Sequence, residues 1–467
     1  MSLRGRLRHR DAPARARENA PRERDSVSGG LLPARVPGER PGHAATTAHL
    51  QAAYPFVAEG GLGGRGVYIG RDAYGGSFVY DPWELYGREL TSPNMLVIGQ
   101  IGRAKSSLVK TYVWRQSVFR RRAWIIDPKG EYGALADAFG VTPLSLEPGG
   151  ALRLNPISRE AGWQGQLRLL QAVCAGALHR PLVPEEEAGL REALKVLNAL
   201  GDEPTLPAVV DVLLRPSDEM AAALATEVVE LAQATRQAAL GLQRLCEGDL
   251  RGMFDGPTTP GLDLDARLVV IDLHAVYDSA ALGILMTCAA AWLRAQVDAQ
   301  RARAEAHGES GDKLIVVVDE AWRIFSHLGI GEWLQDSFKH SRAYGVQNLI
   351  VMHRLSDLRA AGAEGSREAR LAEGLLADAE TRVIYAQPTD QLAATRDLLG
   401  LTETEAELLP TLRRGEALWK VGQRSFLVHH RLSSFETQLV DTDARMALRA
   451  DPARVAVGDD VIAEPAP

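Results

Sequence analysis

The sequence lacks several features that would assign a function directly. It contains three cysteines in 467 residues, and the wide spacing of Cys174, Cys246 and Cys288 argues against a disulfide framework or a metal site. No stretch reaches the ~18 apolar residues that a membrane-spanning helix needs. The formal net charge of −7 is too small to indicate a strongly acidic or basic partner for the whole chain. What remains is a globular protein with ordinary hydrophobic (46%) and charged (24%) contents, suited to a reducing cytosol.

The clearest positive feature is a glycine-rich turn that ends in Lys-Ser. It follows an apolar run at 95–98 and precedes a helix-like pattern from Leu108 to about Phe119. Strand, glycine-rich turn, Lys-Ser and helix, in that order, is the layout of a phosphate-binding P-loop. The residues that we expect to surround a nucleotide are Gly99, Gln100, Ile101, Gly102, Arg103, Ala104, Lys105, Ser106 and Ser107.

The order of these residues suits the binding of an anion. Backbone N–H groups of the turn and of the helix start point at one phosphate. We expect Lys105 to reach the β- and γ-phosphates of ATP, and the Ser106 hydroxyl to bind Mg²⁺. Ala104 stands where the motif has glycine, and we expect tolerance because alanine is small and suits a helix start. The alternative is a chance glycine-rich turn with a surface lysine.

A second motif lies far along the chain. Residues 313–322 read K-L-I-V-V-V-D-E-A-W, an apolar run typical of a central strand in a parallel sheet. The two acids at its end are typical of a Walker B strand, in which Asp319 would hold Mg²⁺ and Glu320 would polarise the attacking water. A buried strand that happens to end in Asp-Glu is the alternative, but the P-loop upstream favours a nucleoside triphosphate site.

Alternating strand and helix patterns predict an α/β fold with a mostly parallel sheet. A long stretch of helix formers interrupts the alternation and predicts an inserted all-helical subdomain. The predicted parts are a disordered Arg/Pro/Gly-rich segment (1–60), the first part of the nucleotide-binding domain (61–158), the helical insertion (159–255), the second part of that domain (256–435) and a C-terminal tail (436–467). The basic first segment is either a solubilising start or an arm for nucleic acid or acidic lipid.

Six strings, in order, resemble the HerA/FtsK superfamily of RecA-like motor ATPases, and most closely the TraC/TrbE-type conjugative ATPases of type IV secretion. They are the hairpin ending at Tyr80-Asp81, the P-loop, the Asp-Pro-Lys-Gly-Glu-Tyr string at 127–132, the break at Asn155-Pro156, the Asp-Glu-Ala-Trp string at 319–322 and the Ser-Arg-Ala-Tyr-Gly string at 341–345. The likeness covers roughly residues 66 to 430. One further departure is His353, which stands where the family usually carries a glutamine that senses the γ-phosphate.

The resemblance implies a RecA-like P-loop NTPase that works as a homo-hexameric ring, with ATP and Mg²⁺ between subunits. Arg342 would then be a catalytic cation donated by the neighbouring subunit, or else a surface arginine, with Arg424 a weaker candidate for that role. Asp127 and Glu131 would either line the site or hold the turn after their strand. Coupling proteins of the TraG/TraD type carry N-terminal transmembrane helices, and no such segment is seen here.

The expected function is therefore an ATP-hydrolysing motor that energises conjugative DNA transfer or type IV secretion. We expect it in the cytoplasm, either free or peripheral to the membrane through secretion or conjugation machinery at its inner face, with DNA as a candidate partner. A DNA translocase of the FtsK/HerA type is an alternative, but it would need a DNA-gripping pore. The sequence shows no dense basic stripe, and Arg120-Arg121-Arg122 is short and lies at a predicted helix end. A non-hydrolysing nucleotide-binding scaffold is a third possibility, because Ala104 and His353 both depart from the motifs.

Overall fold

The computed structural model describes residues 61–307, 312–325, 345–353, 374 and 376–440. An 11-stranded sheet runs through these residues in the order β2-β1-β11-β10-β9-β3-β8-β7-β4-β6-β5. The strands are β1 (Val67–Asp72), β2 (Ser77–Tyr80), β3 (Met95–Ile98), β4 (Arg122–Asp127), β5 (Leu144–Ser145), β6 (Leu268–Asp272), β7 (Leu314–Val318), β8 (Val346–Met352), β9 (Thr381–Ile384), β10 (Glu416–Val421) and β11 (Arg424–His430).

The sheet has a parallel part and an antiparallel part. From β9 to β5 every neighbouring pair of strands is parallel, and from β2 to β9 every pair is antiparallel. The P-loop strand β3 lies between β8 and β9, with Ile98 opposite Met352 on one side and Ile384 on the other. Parallel strands end at one edge, so the residues after β3, β7 and β8 come together there.

Helices cover both faces of this sheet. They are α1 (Pro82–Leu85), α2 (Lys105–Gln116), α3 (Gly133–Phe139), α4 (Gly162–Leu178), α5 (Pro184–Leu200), α6 (Leu206–Leu214), α7 (Asp218–Ala223), α8 (Val228–Glu247), α9 (Leu282–Ala306), α10 (Trp322–Phe325), α11 (Leu392–Leu399), α12 (Glu403–Leu408) and α13 (Ser434–Val440). Within the described ranges, no helix is both long and apolar enough to cross a bilayer.

Two buried clusters follow from the alternation of side chains along the central strands. Val97 and Ile125 face the side covered by α2 and α3. Ile98 and Trp124 face the side covered by α9 and the helical insertion. Because both faces are covered, strands such as β3 are buried at every position, which explains their continuous apolar sequences.

The inserted subdomain is built from α4 to α8, between β5 and β6. Its helices carry local start signals that the sequence makes visible: Pro184 opens α5, and the Thr205 and Ser217 side chains accept backbone N–H groups at the starts of α6 and α7. The prediction of an α/β fold with a mostly parallel sheet and a helical insertion is confirmed.

Several predicted boundaries differ from the structure. The apolar spacing of three and four from Met220 to Cys246 predicts one helix, but the structure has two, α7 and α8. The tail expected from 436 begins inside α13, where Glu436 and Leu439 are buried. Apolar periodicity does not reveal α13, because this helix is short and is held by an ion pair between Glu436 and the distant Arg115. The segment 1–60, predicted to be disordered, lies outside the described residues, as does the predicted tail beyond 440.

Candidate nucleotide-binding site

The turn between β3 and α2 has the backbone that a P-loop needs. Gly99 has φ 156°, and a Cβ added there would lie 2.4 Å from the Cβ atom of Tyr385. Gly102 also has a positive φ, of 78°. The Gln100 N–H donates to the carbonyl of Ala386 at 3.2 Å, so the end of β9 supports the loop. Glycine is therefore required at 99 for close approach and favoured at 102 for its backbone angle.

Ala104 is strained, contrary to the expectation that it simply suits a helix start. It is the N-cap of α2 with φ 79° and ψ 25°, in the left-handed region. That region places Cβ too close to the following carbonyl oxygen in any residue but glycine, at a cost of roughly 1–2 kcal/mol. The glycine of the standard motif meets a conformational requirement that alanine meets only with strain.

Lys105 is held by the loop itself. Its ammonium donates to the carbonyl oxygens of Gly99 at 2.6 Å and Gln100 at 2.9 Å, and the residue is buried. Burial lowers the pKa of Lys105 to about 8, although Asp319 and Glu320 act in the opposite direction. The lysine therefore lies within electrostatic reach of both predicted Walker B acids.

Asp319 follows β7, and β8 separates β7 from the P-loop strand. Its carboxylate accepts the Tyr132 hydroxyl at 3.1 Å and the Glu320 N–H at 2.9 Å. Burial, together with the neighbouring charges of Glu320, Glu131 and Asp127, raises the pKa of Asp319 to about 7. The structure thus brings a buried carboxylate to the same edge of the sheet as the P-loop.

Glu320 is constrained by its backbone, its burial and its contacts. Its backbone is left-handed, with φ 52°, and it is 1% exposed. One carboxylate oxygen, Oε2, accepts Trp322 Nε1 at 2.6 Å, while Oε1 contacts both Lys129 Nζ and His353 Nε2. Burial raises the pKa of Glu320, but the bonds from His353 and Lys129 outweigh it and lower the pKa to about 2.

His353, at the end of β8, faces Glu320. Because a carboxylate only accepts, Nε2 of His353 carries the proton in that contact. The same nitrogen lies 3.0 Å from Lys129 Nζ, and Nδ1 is buried with no partner in the part of the chain that the structure describes. The histidine at this position is thus engaged by Glu320, the predicted general base.

Asp127 holds the turn after β4, which was one of its two predicted roles. Its two carboxylate oxygens accept the backbone N–H groups of Lys129 at 3.1 Å and Tyr132 at 2.9 Å. Burial raises the pKa of Asp127 to about 6, against the lowering effect of the N–H groups of Tyr132 and Glu131. Glu131 is half-buried in this turn.

Three residues near this edge are absent from the predicted site. Lys129 contacts Glu320, although it was noted only as part of a string. Lys110, one turn along α2, is fully buried, and its Nζ lies 5.6 Å from the centre of the Tyr132 ring. Gln387, just beyond β9, is 2% exposed, and neither of its amide atoms is hydrogen-bonded to a described residue. A lysine in a helix turn with apolar neighbours was a readable signal, but Gln387 had none.

The predicted arginines divide into two groups. Arg342 lies outside the described residues. Arg424 opens β11 with its guanidinium 4.8 Å from the Phe426 ring; its neighbour in register is Val421, which pairs with Thr381 at the start of β9. Arg424 is thus at the sheet edge opposite the P-loop of its own subunit.

Comparison with known proteins gave matches among solved structures only: no family model and no curated protein matches the chain. VirB4 of Thermoanaerobacter pseudethanolicus matches with a TM-score of 0.62 and 23% identity, over 81% of this chain and 100% of that one. The plasmid coupling protein TrwB with the ATP analogue ADPNP matches with a TM-score of 0.53 and 17% identity, over 79% and 90%. TrwB with ADP and Mg²⁺ gives 0.54 and 16%, over 79% and 91%. The chain has the fold of a P-loop NTPase.

A P-loop NTPase site needs oxygen ligands for Mg²⁺, and the donors here fit. Asp319 offers a buried carboxylate. Ser106, which is half-buried at the first turn of α2, offers a hydroxyl. Among the described residues, no group of three or more His, Cys, Asp or Glu could hold a metal by itself. Mg²⁺ in nucleotide sites uses one or two protein carboxylates together with waters and substrate phosphates.

Proposed function

We propose that this protein binds ATP with Mg²⁺ and hydrolyses it, as a motor that energises conjugative DNA transfer or type IV secretion. The observation that carries the proposal is the adjacency of β3, β8 and β7, which brings Lys105 within electrostatic reach of Asp319 and Glu320. The fold shared with VirB4 and the coupling protein TrwB supports the choice of process.

In this proposal Lys105 must leave its contacts within the P-loop before ATP can bind. Lys105 exchanges its bonds to the carbonyls of Gly99 and Gln100 for the β- and γ-phosphate oxygens. The N–H groups at the start of α2 then bind the phosphates. Ser106 and Asp319 would hold Mg²⁺, which would supply positive charge to offset that of the phosphates.

Glu320 serves as the base. A water oxygen forms a bond to the γ-phosphorus while the bond from that phosphorus to the bridging oxygen of ADP breaks. The proton of the water passes to the Glu320 carboxylate, and the products are ADP and inorganic phosphate. The contacts of Glu320 with Lys129 and His353 must loosen to free an oxygen for the water.

For the assembly, we propose a homo-hexamer in which Arg342 of one subunit stabilises the transition state in the next. The protein would work with secretion or conjugation machinery at the inner face of the membrane, with DNA as a candidate partner. Mixing Lys105→Ala with Arg342→Ala subunits tests the assignment. Mixed rings should regain activity that each variant lacks alone, and a simple weighted average would place Arg342 outside the neighbour's site.

The experiment that tests the function is ATP hydrolysis with and without single- and double-stranded DNA. We expect Mg²⁺-dependent turnover in the natural sequence and none in Lys105→Ala. Lys195→Ala is a matched control, because Lys195 is an exposed lysine in the helical insertion, paired with Glu192. Unchanged turnover in Lys105→Ala would exclude this site as the active one.

A second candidate is a nucleotide-binding scaffold without turnover. The strained Ala104 and the engagement of both Glu320 oxygens favour it. A DNA translocase is supported less well by the basic string at 120–122, because Arg121 is paired with Asp81 at 2.5 Å and Arg122 is bonded to Gln300 at 3.0 Å. Binding of ATP without any turnover would select the scaffold, and stimulation by double-stranded DNA would favour the translocase.

A further inference from the structure

The turn after β4 reaches the Walker B acids because of strand order. Strands β4 and β7 are parallel neighbours, with Ile126 opposite Val318. The residues just beyond each strand therefore lie side by side at the carboxyl edge. Lys129 is two residues beyond β4, and Glu320 is two residues beyond β7.

The backbone of this turn is fixed independently of the lysine side chain. Asp127 accepts the N–H groups of Lys129 and Tyr132, and Gly130 supplies the positive φ of 67° that the turn needs. The side chain of Lys129 is 25% exposed, whereas the carboxylate that it contacts is 2% exposed. The ammonium thus lies at the boundary between the buried acid and the space outside it.

Glu320 is not the only acid whose negative charge acts on Lys129. Burial lowers the pKa of Lys129, but the contact with Glu320 and the charges of Asp319 and Glu131 outweigh it and raise the pKa. A charged ammonium beside the general base lies near the point where the γ-phosphoryl group must be for a water on Glu320 to attack it. Charge on that group is spread over its equatorial oxygens in the transition state, so a cation there stabilises it.

We propose that Lys129 is a catalytic cation of its own subunit's site, which moves from Glu320 to the γ-phosphoryl oxygens as the transition state forms. The inference rests on the proposed function. It differs from the role assigned to Arg342, since it makes each site partly complete without its neighbour. The movement also removes one of the two contacts of Glu320 Oε1 and leaves that of His353, so one displacement supplies the cation and begins the release of the base.

The first test compares Lys129→Met, which keeps length without charge, with Lys129→Arg, which keeps charge. Lys129→Met should lower kcat by about 100-fold or more, the usual effect of removing one transition-state donor, while the affinity for a fluorescent ATP analogue changes little. Lys129→Arg should keep a larger part of the activity, and Lys195→Met should match the natural sequence. A Lys129→Met protein that is folded by thermal unfolding and turns over at the natural rate overturns the proposal.

The second test separates direct contact from an effect through Glu320. Capture of ADP with aluminium fluoride and Mg²⁺, a mimic of the transition state, is measured in a Glu320→Gln background. If Lys129 contacts the phosphoryl group, adding Lys129→Met weakens capture further, while ADP affinity stays the same. Equal capture with and without Lys129→Met in that background would show that Lys129 acts only by holding Glu320, and would refute the proposed contact.

The third test uses mixed subunits. A Lys105→Ala subunit has an intact Lys129, and a Lys129→Met subunit has an intact P-loop. A cation acting within one subunit predicts no regained activity, and regained activity in confirmed mixed rings contradicts it. Lys105→Ala separates failure of the proposed function from failure of this inference. If Lys105→Ala leaves turnover unchanged, the proposed function fails. If Lys105→Ala abolishes turnover but Lys129→Met leaves it unchanged, only this inference fails.

Discussion

Two regions of the same sheet treat buried polar groups in opposite ways. At the carboxyl edge of the parallel part, Ala104 and Glu320 have left-handed backbones, and the buried amide of Gln387 has no partner among the described residues. At the antiparallel part, Arg115 binds both oxygens of Glu436 at 2.6 and 2.7 Å and the carbonyls of Tyr68 and Arg431 at 2.5 Å each. Strain and unmatched polarity mark the region that must rearrange around a ligand. Matched polarity marks the region that holds the fold.

The largest effect should come from breaking the nucleotide edge at its base. Glu320→Gln should lower kcat by about 10²–10⁴-fold, the usual contribution of a general base, because an amide cannot take a proton from water. ATP binding should persist, since Lys105 and the loop are unchanged. Turnover and fluorescent-ATP binding are measured together, with Glu192→Gln as an acid-to-amide control in the helical insertion. Turnover within about twofold of the natural sequence would place the base elsewhere.

Next in size should be the loss of the ion pair that closes the antiparallel part. Arg115→Met leaves Glu436 buried without its partner, and we expect the free energy of unfolding to fall by about 3–5 kcal/mol. Adding Glu436→Gln should restore part of it by removing the unpaired charge. Denaturant unfolding measures both variants.

The exposed pair of Arg215 and Asp211, at 3.1 Å, is the matched control for that comparison. Arg215→Met should change stability by less than about 1 kcal/mol, because water already screens the pair. An equal loss in Arg115→Met and Arg215→Met would mean that burial does not decide the effect, and would remove the contrast between matched and exposed charges.

A pH profile should sharpen the comparison from the same region. Burial, followed by the charge of Arg115 and opposed by Glu436, lowers the pKa of His430 to about 3 from 6.5. Between pH 6.5 and 3, His430 is therefore protonated in the unfolded chain but neutral in the folded chain. Stability from this residue is complete above pH 6.5 and falls by up to ~1.4 kcal/mol per pH unit as the pH drops through that window.

His430→Gln should remove that component, because glutamine does not titrate and its amide can replace the bond between His430 Nε2 and Thr111 Oγ1, 2.9 Å long. The difference in unfolding free energy between the two proteins is measured from pH 7 to pH 4. A difference that does not change with pH would mean that His430 becomes protonated without cost in the folded protein. Acids at the nucleotide edge titrate in both proteins, so they cancel.

The sequence was sufficient for the parts of the site that depend on local order. The P-loop and the Asp-Glu pair were found because strand, turn and helix follow one another along the chain. The contact of Lys129 with Glu320 depends instead on β4 lying beside β7, which is a matter of strand order that no local pattern specifies. The strain at Ala104 had a signal that was misread: glycine at that motif position indicates a required backbone angle, and small size is a secondary matter.

The smallest effect should come from relieving that strain. Ala104→Gly removes the left-handed penalty, and we expect a gain in stability of ~1 kcal/mol, because the cost of roughly 1–2 kcal/mol is partly offset by the greater freedom of glycine in the unfolded chain. Arg120→Gly is the matched control, since Arg120 also has a positive φ, of 58°, at the end of the turn after α2. Both variants should have a higher thermal unfolding temperature. Only Ala104→Gly should also change turnover, and this change should be modest. A loss of stability in Ala104→Gly would show that its backbone angle is not strained. A rise in turnover of more than about 100-fold, equal to ~2.7 kcal/mol of barrier, would show that alanine cripples the natural site and would favour the scaffold.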